Sequence, residues 1–182
     1  MIKRIGITGI NGWIGDKVFT YFKKKYRVIN LGPYIHGKNK TKKNLDNKID
    51  WALHFGASTS IKKSFENPFS FYKKNISSTI ELLKHVKKSN AKMIFMSSYV
   101  YGTPQYLPID EEHPISLTNP YMSSKFASEI VCREICTHLN IEFIILRLFN
   151  IYAPGVCKGR LISDLIQNTK RNEKFNLKNP YP

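Results

Sequence analysis

Apolar side chains along the chain follow two rhythms, and the places where one gives way to the other mark its elements. Ile5 and Ile7 recur at every second position until Gly9, as in a strand. Trp13, Ile14, Val18, Phe19 and Phe22 then recur at helical spacing, which predicts an amphipathic helix over 13–25. It closes in Lys23-Lys24-Lys25, the charge sign that suits a helix C-terminus. Residues 26–31 read as a second strand stopped by Gly32-Pro33, and 33–48 as a polar, lysine-rich loop. Strand character returns over 49–55 and is closed by Gly56-Ala57. Phe65, Phe69, Tyr72, Ile76, Ile80, Leu83 and Val86 predict a helix over 64–88, with Pro68 near its start. A short buried strand, Met93–Met96, leads into a turn-rich loop over 102–119 that carries Pro104, Pro108 and Pro114. A helix over 121–139 follows, with Phe126, Ile130, Val131, Ile135 and Leu139 on its apolar side. A strand over 142–148, a helix near 160–171 and a tail from Phe175 to Pro182 complete the chain. Strands alternating with helices predict parallel βαβ units, hence an α/β fold with a doubly wound parallel sheet. In such sheets ligands gather at the C-terminal ends of the strands. No internal repeat is visible.

Composition narrows this picture modestly. A chain of 182 residues with 42% hydrophobic content is long enough to bury a core and too apolar to be disordered. No uninterrupted apolar run approaches the ~20 residues that span a bilayer. The basic start, Met1-Ile2-Lys3-Arg4, is followed by glycines and Asn11 rather than by a signal-peptide core, so the cytoplasm is the expected location. Cys132, Cys136 and Cys157 are the three cysteines and match no metal-binding or redox spacing, so they read as reduced structural thiols and no metal is expected. The net charge of +16 raises nucleic-acid binding as a possibility. The lysines, however, are scattered over several elements, at 23–25, 38–43, 62–63, 73–74, 84–88 and 170–174. Without a nucleic-acid motif they read as a solvated surface.

The first candidate chemistry lies where strand becomes helix. Gly9, Gly12 and Gly15 give G-x-x-G-x-x-G between an apolar strand and an amphipathic helix. Such a turn aims unpaired helix N–H groups, and the positive end of the helix dipole, at an anion such as a dinucleotide pyrophosphate. Gly9 suits the tight turn, Gly12 leaves room for phosphate, and Gly15 lets helix and strand pack closely.

The second lies at the end of the Met93–Met96 strand, in Ser97-Ser98-Tyr99-Val100-Tyr101-Gly102. Roughly twenty residues on, Tyr121 and Lys125 stand four apart at the opening of a helix and share a face. A phenol is a poor base at neutral pH, its ordinary pKa being ~10. A neighbouring ammonium favours the phenolate and makes Tyr121 a candidate proton donor or acceptor. Ser97, at the end of a central strand, could hydrogen-bond the same substrate oxygen. His54 reads as a buried strand histidine and Arg147 as structural.

These pieces stand in a recognisable order. Thr8-Gly-Ile-Asn-Gly-Trp-Ile-Gly15, His54-Phe-Gly-Ala57, Asn75 and Ser97-Ser-Tyr-Val-Tyr-Gly102 are followed by Asn119-Pro-Tyr-Met-Ser-Ser-Lys125 and Leu146-Arg-Leu-Phe-Asn-Ile-Tyr152. The chain resembles the extended short-chain dehydrogenase/reductases, in the NAD-dependent epimerase/dehydratase branch that acts on nucleotide sugars. The resemblance implies a Rossmann-type fold and a nucleotide-sugar epimerase or related oxidoreductase that uses NAD or NADP. It implies that Gly9, Gly12, Trp13, Ile14 and Gly15 hold the pyrophosphate and that Ala57 and Asn75 line the cofactor groove. Ser97, Tyr121 and Lys125 would be the catalytic triad, Tyr121 and Lys125 would also contact the cofactor, and Ser97 and Asn150 would touch the sugar nucleotide. A homodimer through the 64–88 and 121–139 helices is implied in the same way.

The departures carry information too. The acidic residue that commonly ends the family's second strand is here Gly32, followed by Lys38, Lys40 and Lys42, which leaves NAD and NADP both open. Asp46 is a weak stand-in for an aspartate near the adenine, and 33–48 is too short for the family's third strand and its helix. Ser98-Tyr99 stands where dehydratases commonly carry Asp-Glu, which favours an epimerase or reductase over a dehydratase. The expected organisation is a cofactor domain over 1–160 and the start of a substrate region over 161–182, the rest of that region being absent. The alternative is a catalytically silent NAD(P)-binding remnant or interaction module.

Overall fold

The computed structural model describes residues 3–32, 48–153, 161–172 and 174. The chain divides into two compact units, Met1–Leu148 and Phe149–Pro182. In the first, strands β1 (Arg4–Thr8), β2 (Arg27–Asn30), β3 (Trp51–His54), β4 (Lys92–Ser98) and β5 (Phe143–Leu148) form one parallel sheet in the order β2-β1-β3-β4-β5. This is the doubly wound Rossmann-type arrangement, and it changes direction between β1 and β3. Helix α1 (Trp13–Phe22) covers one face; α2 (Ile61–Glu66), α3 (Pro68–Ser89) and α4 (Pro120–His138) belong with the other.

Strand alternation sorts the core into two layers. Ile5, Ile7 and Leu53 pack with Val18, Phe19 and Phe22 of α1. Ala52, Met93 and Phe95 pack with Leu82, Leu83 and Val86 of α3 and with Cys132 and Cys136 of α4. On α4 the buried positions Ser124, Ser128, Cys132 and Cys136 recur every fourth residue, a stripe of small side chains that lets α3 approach closely. Both cysteines are free, and burial together with their mutual hydrogen bond holds the Cys132 thiol above its ordinary range. Cys157 lies outside the described residues.

The segment read as one helix over 64–88 is two. Asn67 interrupts it at φ −146° and caps α3 by accepting from the Ser70 amide, with Pro68 at the first turn. The cause is Pro68 itself, which has no N–H to continue α2 and pushes its predecessor out of the helical region. Helix α1 ends at Phe22, so the three lysines form the turn after it. At the far end of the sheet Asp50 accepts from the Arg4 amide and guanidinium, which holds its carboxyl below the usual range and aligns β1 with β3. The 33–47 segment, Asp46 included, lies outside the described residues, as does the 175–182 tail.

In the second unit, helix α5 (Leu161–Lys170) has Asp164 in its first turn and Lys170 in its last, the order its dipole favours. Among the described residues no helix is long and apolar enough to cross a membrane, and no group of His, Cys, Asp or Glu is placed to hold a metal ion.

Candidate active site at the strand ends

The glycine turn is built from missing side chains. Gly9 has φ +72°, and a Cβ there would lie 2.6 Å from the Gly56 nitrogen, so the ends of β1 and β3 touch backbone to backbone. A Cβ on Gly15 would lie 2.2 Å from the Gly9 carbonyl oxygen, which seats α1 directly on the turn. The Gly12 amide closes the turn by donating to that same oxygen at 2.9 Å. Gly12 itself is exposed, its hypothetical Cβ meeting only the Gly9 oxygen, tightly at 3.3 Å, and no side chain caps the helix it begins. An exposed, uncapped helix start with a cleared approach suits a pyrophosphate. Trp13 and Ile14 supply the first helical amides there, and the Trp13 indole nitrogen is buried without a hydrogen-bond partner among the described residues.

Behind the turn runs a buried polar chain. Thr79 Oγ1 donates to the Asn75 carbonyl, so it can only accept from His54 Nε2, 3.1 Å away. His54 therefore donates from Nε2, and its Nδ1 stands 2.7 Å from Thr8 Oγ1. Thr8 Oγ1 in turn accepts from the Gly56 amide. The Asn75 side chain donates to Ser124 Oγ at 2.8 Å and to the Ser58 carbonyl, and accepts from the Ser58 amide at 2.7 Å. Ser124 Oγ donates to the Tyr121 carbonyl. Thus the end of β1, the loop after β3, α3 and the first turn of α4 are tied together by satisfied, buried groups. Asn75, read from sequence as lining a cofactor groove, is 2% exposed and has its amide engaged with Ser58 and Ser124. Ala57, half-buried, lies in the loop that Asn75 holds.

The second cluster lies at the end of β4. Asn119 caps α4 through the Met122 amide, Pro120 opens its first turn, and Tyr121 follows. Tyr121 donates to Ser98 Oγ at 3.2 Å. Ser97 is 5% exposed, and its Oγ is buried without a hydrogen-bond partner among the described residues. One turn along α4, Lys125 is 4% exposed with its ammonium 4.4 Å over the Phe95 ring. Burial pushes Lys125 down to about 8, against a smaller opposing pull from Cys132 and Glu129. A buried ammonium with a lowered pKa, a phenol and two serine hydroxyls thus sit on the first turns of α4 and the end of β4, a set of groups able to move a proton.

Arg147 has the structural role its sequence context indicated. Its guanidinium grips the buried Glu129 carboxylate at 2.7 Å and donates to the Tyr101 hydroxyl at 2.9 Å and the Glu111 carbonyl. This joins β5, α4 and the loop after β4, and the Glu129 carboxylate raises Arg147 further above its ordinary range. His113 secures the same loop by accepting from the Gln105 amide and donating to the Pro114 carbonyl. Asn150 belongs to the second unit, where it is exposed. Ser98, Thr8, Thr79 and Glu129 escaped the sequence reading; only the paired hydroxyls of Ser97-Ser98 were a visible hint.

Comparison with known proteins gives the family and the fold. Human UDP-glucose 4-epimerase is 40% identical over 102 residues, 54% of this chain and 29% of that enzyme. The structure of UDP-glucose 4-epimerase from Bifidobacterium longum, in complex with NAD+ and UDP, superposes with a TM-score of 0.69 at 32% identity, covering 81% of this chain and 53% of that one. RMD from Pseudomonas aeruginosa, complexed with NADPH, has the same fold at a TM-score of 0.80 and 23% identity, over 93% of this chain and 63% of that one. The chain thus spans less than two thirds of the length of each. The family profile itself matches residues 5–180, and the chain belongs to the NAD dependent epimerase/dehydratase family.

Proposed function

We propose that the chain is the cofactor-binding part of an NAD(P)-dependent nucleotide-sugar epimerase, with a UDP-sugar as its substrate class. The observation that carries this reading is the convergence of the uncapped glycine turn with Ser97, Tyr121 and Lys125 at the C-terminal ends of the same parallel strands. The similarity to UDP-glucose 4-epimerases supports the substrate class. Ser98-Tyr99 in place of an acid pair after Ser97 supports epimerisation over dehydration.

In this reading the amides of Gly12, Trp13 and Ile14 hold the pyrophosphate, and Ala57 flanks the groove. A nicotinamide, when bound, supplies a site that takes up a hydride and returns it. Tyr121 takes the proton of a sugar hydroxyl whose carbon gives up its hydride. It returns that proton when the hydride comes back to the opposite face, so the sugar leaves as its epimer with protons and electrons balanced. Ser97 hydrogen-bonds the sugar oxygen, and Asn150 contacts the nucleotide sugar. A cytoplasmic homodimer through α3 and α4 belongs to the same proposal; the apolar surface of α2 and α3, where Phe69 is 85% exposed, supports the contact.

Calorimetric titration with NAD and with NADP, followed by turnover of UDP-glucose, tests the reading. Saturable binding of one cofactor and turnover are expected, with Tyr121→Phe keeping cofactor affinity while losing turnover by at least ~100-fold. Equal turnover in Tyr121→Phe removes the mechanism. Cofactor binding without turnover by the wild type favours the silent NAD(P)-binding module.

A further inference from the structure

We propose that Ser98 is a positioning residue that holds the Tyr121 phenol in its working orientation. This presupposes the acid–base role of Tyr121. Ser97 and Ser98 are the last two residues of β4, where successive side chains point to opposite faces. Ser97 continues the inward row of Met93 and Phe95 and is buried. Ser98 is half-buried, and its Oγ is the acceptor for the Tyr121 hydroxyl at 3.2 Å.

The backbone of Tyr121 is already anchored. Asn119 and Pro120 set the start of α4, and Ser124 Oγ holds the Tyr121 carbonyl. What remains free is the swing of a half-buried ring in the first turn of a helix. The bond to Ser98 selects one position, placing the phenol oxygen at the end of β4, with Lys125 one helical turn further along α4. A serine hydroxyl has one donor and two acceptor sites. It accepts while the phenol carries its proton and turns to donate once that proton has left. The orientation therefore survives both halves of a proton-transfer cycle. Alanine can do neither, and an ionised carboxylate can only accept. Ser97, unpartnered among the described residues, keeps its hydroxyl for a substrate oxygen. Two adjacent serines thus divide the work: one orients the phenol, the other meets the substrate.

The test uses the full chain labelled with 13Cζ-tyrosine, as wild type, Ser98→Ala, Ser98→Thr, Ser97→Ala and Tyr121→Phe. The last identifies the Tyr121 resonance by its loss. Without added ligand, the Tyr121 resonance is expected to move in Ser98→Ala, return in Ser98→Thr and stay in place in Ser97→Ala. An unmoved resonance in folded Ser98→Ala, or movement in Ser97→Ala alone, overturns the role. If circular dichroism shows Ser98→Ala unfolded, Ser98→Cys replaces it and the same two readings decide. With NAD and UDP-glucose, Ser98→Ala should lose about tenfold in kcat at unchanged KM, restored by Ser98→Thr. Absence of wild-type turnover counts against the proposed function alone, and the resonance still decides Ser98.

Discussion

The two ends of this site are held by opposite means. At the β1–α1 turn the geometry comes from side chains that are missing. Gly9 meets Gly56, Gly15 meets Gly9, and the polar groups at the uncapped helix start are backbone amides. At the β4–α4 end it comes from side chains that are present and polar: the buried Ser97, Ser124, Lys125 and Glu129, and the half-buried Ser98. The first region is insensitive to protonation and intolerant of added bulk. The second can titrate, and carries the energetic strain of a buried ammonium. Binding an anion needs only fixed dipoles, whereas moving a proton needs a group whose charge can change.

Breaking the glycine end should give the largest loss. Gly15→Ala sets a methyl 2.2 Å from a backbone oxygen that cannot swing aside. Folding stability is expected to fall by about 3 kcal/mol, lowering Tm by roughly 10 °C, with cofactor binding lost. Unchanged melting and cofactor affinity would show that the contact is not tight.

The other end should respond with the opposite sign. Lys125 has a folded-state value of about 8, against an ordinary 10.5. Between those values the unfolded chain holds the proton that the folded chain has released, so its contribution to stability rises with pH. Below about 8 both states are protonated, and folding bears the full burden of the buried ammonium. Lys125→Met should therefore stabilise the fold at pH 7 by about 2–3 kcal/mol while abolishing turnover. Urea melts should show the gain narrowing by pH 9.5. A destabilised Lys125→Met at pH 7 would mean that the ammonium is better solvated than its burial indicates.

The polar chain between the two ends should give an intermediate effect. His54→Leu takes one hydrogen-bond partner each from the buried hydroxyls of Thr8 and Thr79 and should cost about 2 kcal/mol in urea unfolding. In the wild type, 15N spectroscopy should find the His54 proton on Nε2; a proton on Nδ1 would reverse the assigned chain of donors.

Gly12→Ala sharpens the comparison with the smallest change in stability, within about 1 kcal/mol, because φ is a permitted −84° and its Cβ would meet only the Gly9 carbonyl oxygen, at 3.3 Å, where the space is otherwise clear. Cofactor affinity should nevertheless fall about tenfold, since that space is the approach to the helix amides. Full affinity in calorimetry would place the phosphates elsewhere.

Sequence periodicity alone determined most of the fold. The strand and helix rhythms placed all five strands and the main helices, because a parallel sheet buried on both faces demands apolar runs that survive in any reading of the chain. The glycine turn was equally legible, since glycine spacing encodes backbone shape directly. Pro68 split one expected helix in two, a local effect that the longer apolar rhythm concealed. The proton-transfer end was legible only in part. The spacing of Tyr121 and Lys125 put them on one helix face, and the strand end offered two adjacent serines. Which hydroxyl met the phenol depended on how β4 and α4 lie against each other, across 23 residues of separation. The same holds for Asn75, whose amide meets Ser124 from 49 residues away and whose role no local pattern contains. Local sequence encodes backbone conformation. Which polar groups find one another in the core is decided only when the helices close on the sheet, since each buried donor must then take whatever acceptor the packing brings within reach.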